Sequence, residues 1–400
     1  MLLCKAPIFD KNKSLYGYEI KYEKEDLDLN EIVKNLYSII SQLDIKKFLD
    51  NKQAFIKVIP DIIVFTDFLN LINKEVFIVE IESKHLKSKS LLEKIRDLKN
   101  EGFTFSMELT EGDFDIESFL PMSSIFNYLS ISFKNFIPEK EQFIEKVREL
   151  SFTLKAEDLD TKEDFDKATL LGFDLFEGEF FTKPESIDTK EDTFNKLEVL
   201  KLIRYVSVED DLNDIAEAIK SSPDISVRLL KYINSSFFYL NNPITSINRA
   251  VAYLGKKNLV SWLFMLSMMS ASKNDLDKEA VKTALFRAKF MELLSLKINP
   301  DSNIADTAFL VGLLSLAERI FKIDLKTILK ELNLSEEMEK VLTEKEGYFG
   351  ELLNFVIAIE KNDILTIKVF KKKYMLADEE ISEITVETYR WIDTMFEILR

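Results

Sequence analysis

Tyr128-Leu-Ser-Ile-Ser-Phe133, Phe143-Ile-Glu-Lys-Val-Arg-Glu-Leu150 and Thr153-Leu-Lys-Ala-Glu157 together decide the fold of the first half of the chain. The outer two are short apolar runs of strand length. The middle one carries Phe143, Ile144, Val147 and Leu150 at helical spacing. This is a strand–helix–strand unit, and it repeats. Further strand-like runs lie at Leu2 to Phe9, Tyr16 to Tyr22, Ala54 to Ile59, Val76 to Glu82, Phe103 to Leu109 and Leu175 to Phe181. Amphipathic stretches such as Asn30 to Leu43 and Leu91 to Leu98 fall between them. Alternating units of this kind predict a parallel sheet or a closed barrel of about eight strands, with the first two runs as an antiparallel pair.

From about Ser186 the strand pattern stops and the sequence reads as helix to Arg400. Ser207-Val-Glu-Asp210 has the form of a capping box ahead of Leu212, Ile215, Ala216 and Ile219. Ser222-Pro223 offers an N-cap with proline at the first helical position. Gly255 is a candidate C-cap for a helix carrying Ile247, Ala250, Val251 and Leu254. Trp262, beside Leu263 and Phe264, reads as core. The expected organisation is a β/α domain over 1–185, a polar linker over 186–195 and an all-α domain over 196–400.

Composition narrows the chemistry. The 400 residues carry 54 basic and 70 acidic side chains, a net charge of −16, which opposes nucleic-acid phosphates and anionic lipid. The single cysteine, Cys4, forms no internal disulfide and fits a reducing compartment, and no apolar run approaches membrane-spanning length. A cytoplasmic location is expected, with no nucleic-acid or membrane partner. One histidine, His85, lies in a lysine-rich run and leaves no material for a Ser-His-Asp triad or an imidazole metal cluster.

The strand ends bear Glu19, Glu80 or Glu82, Glu108, Glu157 and Glu177, a run of carboxylates where barrels of this kind place their active sites. Converging oxygen ligands are what a divalent cation requires.

Two segments resemble a known family. Ala6-Pro-Ile-Phe-Asp10 with Gly17-Tyr-Glu-Ile20 is similar to the opening of EAL domains, the cyclic di-GMP phosphodiesterases. Gly172-Phe-Asp-Leu-Phe-Glu-Gly178 with Phe180-Phe-Thr-Lys-Pro184 resembles their closing segment. The resemblance implies a TIM-like barrel over about residues 1 to 185. It also implies a site in which glutamates, an asparagine and an Asp-Asp pair hold two divalent ions beside a lysine. Glu19 matches the motif glutamate, although Ile20-Lys21 replaces Ala-Leu. Glu23 stands at a phosphate-binding arginine, Lys57 at the asparagine, and Glu80 at a ligand. Glu108-Leu-Thr110 keeps one acid of the pair. Ser130 and Ser132 replace the lysine and aspartate of Leu129-Ser-Ile-Ser132, Glu157 is kept, and Glu177 replaces a glutamine. Losing an arginine, a lysine and a paired acid exceeds the ~3 kcal/mol typical of one electrostatic group. Glu19, Lys57, Glu80, Glu108, Ser130, Glu157 and Glu177 are therefore read as a vestigial pocket, with no catalytic residue, metal or cofactor.

Ser222 to Phe238, Pro243 to Gly255 and Phe309-Leu-Val-Gly-Leu-Leu-Ser315 resemble the HDOD domain, a relative of HD phosphohydrolases without their metal ligands. Ser315 stands where those enzymes have a ligand histidine. The expected function is that of a non-enzymatic bacterial signalling protein, an inactive EAL barrel joined to an HDOD module that contacts other signalling proteins. On this reading cyclic di-GMP binding is not expected. The alternative is a cyclic di-GMP phosphodiesterase or receptor with residual EAL activity, which would need a divalent ion. Limited proteolysis is expected to cut first between Pro184 and Asn195, the polar junction of the two halves. A first cut within Phe103 to Leu109 contradicts the division.

Overall fold

A computed structural model describes the chain apart from residues 1–2, 23–40, 42, 66–67, 111–115, 135–137, 184–199, 236–237, 239, 333, 335 and 400. Glu23, nearly all of the stretch Asn30 to Leu43 and the linker at 186–195 lie outside the described residues. Two compact units result. One is Met1–Lys183 with Asn362–Ile364 and Asp378–Ser382, and the other is Pro184–Lys361, Leu365–Ala377 and Glu383–Arg400.

The first unit is a closed barrel of eight strands in chain order. These are β1 (Leu3–Asp10), β2 (Leu15–Tyr22), β3 (Gln53–Lys57), β4 (Phe77–Glu82), β5 (Thr104–Glu108), β6 (Tyr128–Ser132), β7 (Thr153–Glu157) and β8 (Leu175–Glu177). β1 runs antiparallel to both β2 and β8, as the first two runs predict, and every other neighbouring pair is parallel. Helices α1 (Lys89–Asn100), α2 (Pro138–Val147) and α3 (Lys162–Leu171) form crossovers on the outside. α1 buries Leu91, Ile95 and Leu98, one stripe at helical spacing, and Ser88 caps it by accepting from Leu91 N. Thr161 and Asp164 close a capping box on α3, and Gly172 ends it in the left-handed region. His85 lies in the 3₁₀ turn Ser83–His85 ahead of α1.

Alternation along each strand sends one parity inward. One end of the interior is apolar, where Ile8, Phe55, Ile78 and Leu175 pack with Tyr16 and Tyr128. The two tyrosine hydroxyls bond at 2.7 Å. Further along the same inward parity the side chains become charged.

The last strand-like run, Leu175 to Phe181, is shorter than its composition suggests. β8 stops at Glu177 and a 3₁₀ turn occupies Glu179–Thr182, turning Phe180 and Phe181 onto Phe9 at 5.8 and 5.6 Å between ring centres. Gly178 makes the break, with φ 146° and ψ −176°, a region open in practice to glycine alone.

The second unit is helical. Its longer helices include α4 (Leu212–Lys220), α5 (Pro223–Ile233), α6 (Ile247–Ala271), α7 (Asp275–Ile298), α8 (Ser302–Leu314), α9 (Glu336–Glu344) and α10 (Gly347–Lys361), with most of α11 (Ile364–Tyr374) and α12 (Asp378–Leu399); short helices at Ala317–Phe321 and Leu325–Glu331 lie between α8 and α9. The capping box read at Ser207 is not formed. Asp211 caps α4 instead, accepting from Asn213 N, while Ser207 Oγ donates back to Arg204 O. A hydroxyl at the end of a preceding helix finds a closer acceptor there. Pro223 sits at the start of α5 as expected. Gly255, at φ 72°, breaks α6 within its span. A side chain on Gly312 would meet Ala288 N at 2.5 Å, so α7 and α8 cross at backbone contact. Trp262 is fully buried, as core. Among the described residues no helix is long and apolar enough to cross a membrane.

Gly178→Ala should cost about 1–3 kcal/mol from backbone strain, and more because its Cβ would lie 2.3 Å from Leu159 N. Urea unfolding measures the loss. An unchanged midpoint would show that the turn after β8 tolerates a side chain.

Candidate functional site

The charged end of the barrel interior contains Glu19, Lys21, Lys57, Glu80, Glu108, Lys155, Glu157 and Glu177. Register explains the gathering. Lys57 pairs with Glu80 across β3–β4, Glu108 with Ser130 across β5–β6, and Ser130 with Lys155 and Ser132 with Glu157 across β6–β7. All seven pocket residues expected from the sequence are brought to this end.

Lys155 sits at the centre. Its ammonium lies 2.8 Å from Glu157 Oε1, 3.1 Å from Glu80 Oε2 and 3.6 Å from Glu19 Oε2, and its side chain has no exposure. The Phe55 ring lies 4.2 Å beneath the charge. Glu80, also fully buried, accepts from Ser106 Oγ at 2.7 Å and Ser130 Oγ at 2.6 Å. Lys57 pairs with Glu108 and Lys21 with Glu177, the latter at 2.7 Å. Tyr22 OH donates to Lys57 O at 2.6 Å, fixing the strand that carries Lys57. Glu82 lies apart, paired with Lys84. Asp158 accepts from Ser132 Oγ at 2.5 Å and pairs with Lys134 at 2.9 Å.

Burial raises a carboxyl, and neighbouring cations lower it. At Glu80 burial is overcome by Lys155, Lys57 and the two serine hydroxyls, which hold the carboxyl down at about 2. At Glu157 burial wins over Lys155, and the carboxylates of Glu80, Glu19 and Glu108 add to it, so the carboxyl stands well above the ordinary range. Burial likewise leads in raising Glu108 and Glu177. Lys155 is held well above its usual value: burial opposes its charge, but Glu157, Glu80 and Glu19 outweigh burial. Glu80, Glu108, Glu157 and Glu177 stand close to shared ammoniums, so their protons come off as a set and not singly.

Single carboxylate oxygens of Glu19, Glu80 and Glu157 all lie within 4.8 Å of one another, a spacing suited to a hard cation. Lys155 already reaches all three residues. A divalent ion among them would meet that ammonium at contact distance, so the donor set as arranged does not fit a metal.

The motif reading missed Lys155. Its signal was present: two residues before Glu157 on one strand puts both side chains on one face. Ser130, beside Lys155 in register, has no cation of its own and donates to Glu80.

In the helical unit Ser315 Oγ is 3.3 Å from Arg287 Nη1. Arg287 makes a two-pronged pair with Glu360, 2.9 Å from Nε to Oε1 and 2.7 Å from Nη2 to Oε2. The position that resembles a ligand histidine is thus packed against a buried guanidinium. Arg319 and Asp277 form a second buried pair at 3.1 Å.

Comparison with known proteins fixes part of the class. Residues 198–345 match the family model described as the HDOD domain, so the helical unit contains an HDOD domain. Among curated proteins, the uncharacterized protein YuxH of Bacillus subtilis is 23% identical over 99% of both chains. The cyclic di-GMP phosphodiesterase CdgJ of Vibrio cholerae is 26% identical over 59% of this chain and 54% of its own length. Among solved structures, the Bacillus subtilis YkuI protein, with an EAL domain and in complex with cyclic di-GMP and calcium, is similar at TM-score 0.37 and 13% identity. That similarity covers 55% of this chain and 72% of YkuI.

Lys155→Met should cost about 3–5 kcal/mol at pH 7.5, because it leaves buried carboxylates without their cation. Glu80 contributes stability that is present above its ordinary value of 4.5 and lost as pH falls toward 2. Without Lys155 the sign reverses. The carboxyls would be raised, their contribution would be present at low pH, and it would be lost as pH rises. The gap between wild type and variant in urea unfolding should therefore narrow from pH 7.5 to pH 5, by about 1.4 kcal/mol per unit of raised pKa. An equal gap at both pH values would mean that Lys155 does not neutralise the cluster.

Proposed function

We propose that this chain is a cyclic di-GMP-related signalling protein whose barrel is catalytically inactive and whose HDOD module contacts other signalling proteins. One observation carries the reading: the Lys155 ammonium lies among Glu19, Glu80 and Glu157, where a phosphodiesterase barrel would need divalent ions. Lys57, in place of the expected asparagine, adds a second internal cation paired with Glu108. The resemblance of both ends of the barrel to EAL domains and the HDOD match support the signalling class. Ser130, where the family has a lysine, donates to Glu80 and offers no cation to a ligand phosphate, so cyclic di-GMP binding tighter than roughly 100 µM is not expected.

The competing reading, a residual phosphodiesterase, is favoured by the spacing of the same three carboxylates and by the activity named for CdgJ. It requires Lys155 to leave the cluster when metal enters. Incubating the full chain with cyclic di-GMP and Mg²⁺ or Mn²⁺ separates the two. No linear pGpG is expected. Its formation at ordinary enzyme concentration, and its loss on Glu19→Gln, would establish the phosphodiesterase instead.

A further inference from the structure

Within the helical unit a cavity of about 430 Å³ opens between α5, α6, α7, α8 and α12. Pockets that hold small organic ligands begin at about 300 Å³. Tyr232, Phe309 and Trp391 line it, and each ring is held by others. Tyr232 stacks on Trp262 at 5.9 Å and 23°, while Phe309 meets Trp391 edge-on at 5.8 Å and 88°. Fixed aromatic rings favour a flat ring as their guest.

The charges lining this cavity run against those of the chain. Lys256, Lys257 and Lys289 face Glu292 and Asp306, a cationic excess in a protein of net charge −16. Burial raises the Glu292 carboxyl, against the pull of Lys289, which weakens its claim as an anion. Lys289 is buried, 2.9 Å from Glu292 Oε2 and 5.8 Å from the centre of the Trp391 ring. It therefore sets positive charge beside an aromatic face. Lys256 is paired with Asp210, an exposed carboxylate, at 2.7 Å, and Lys257 bonds the neutral Asn303 at 2.7 Å. A ligand anion can displace such surface partners at little cost.

We propose that this cavity binds a small organic anion built on a flat aromatic ring, the ring between Tyr232, Phe309 and Trp391 and the anionic group toward Lys256 and Lys257. The site belongs to the helical unit alone and stands whether or not the barrel is active. Two sources share this chemistry, aromatic phosphates such as nucleotides and aromatic carboxylates. Calorimetric titration of the full chain with GMP and with 1-naphthoate distinguishes them, with inorganic phosphate as the ring-free control. One of the two aromatic probes should bind one-to-one, and inorganic phosphate should bind at least tenfold more weakly. Lys257→Glu should weaken the aromatic probe at least tenfold while leaving the unfolding midpoint unchanged, and Val260→Trp should abolish binding by filling the cavity. Both substitutions lie in the helical unit, so loss of binding in both variants assigns the heat to this site. No saturable heat with either probe, binding of phosphate as tight as that of the aromatic anions, or binding indifferent to Lys257→Glu would each overturn the proposal.

Discussion

A buried ammonium neutralising buried carboxylates is the constraint on which the barrel interior depends. Moving one unpaired ion into such an environment costs several kcal/mol even after relaxation. Glu80 and Lys155 have no exposure at all, so neither side chain is tenable without the other or a substitute. Two hydroxyls, from Ser106 and Ser130, donate to Glu80 Oε2, and the Phe55 ring lies under the Lys155 ammonium. An apolar layer of Ile8, Phe55, Ile78 and Leu175 fills the other end of the interior. The same logic recurs in the helical unit, where Arg287 with Glu360 and Arg319 with Asp277 place matched charges inside a helical core. In both units, fixed side chains supply the positive charge inside.

Much of the fold was legible because it rests on periodicity. Eight runs became eight strands, and the antiparallel start followed from two runs joined too closely for a crossover helix. The helical half was legible from its stripes and from Pro223. Failures occurred where a local pattern had two outcomes. Ser207 had the spacing of a cap but lay at the end of one helix instead of ahead of the next. The run to Phe181 was apolar enough for a strand, yet Gly178 bent it so that two phenylalanines could pack on Phe9.

At the candidate site, the residues matched to family positions lie at one end of the barrel interior, and the ammonium at their centre, Lys155, was not among them. Reading along the chain compares each position with its counterpart in relatives. It does not register that a cation absent at Ser130 is present at Lys155, because the two are neighbours only through the ladder between β6 and β7. A cation one strand over can serve the buried carboxylates while leaving no mark at the position the motif uses. The pairing of Lys57 with Glu108 is similar, since it joins β3 to β5 over the intervening strand.

The reversed direction of β1 has a practical consequence. Leu3 pairs with Tyr22, so the strand begins beside the carboxyl-terminal end of β2, at the mouth that holds the charges. In a barrel whose strands all ran in parallel, the start of the chain would emerge at the opposite, apolar end. Here a tag or reporter domain joined ahead of β1 would leave the barrel at its charged mouth, where it can stand in the way of whatever approaches.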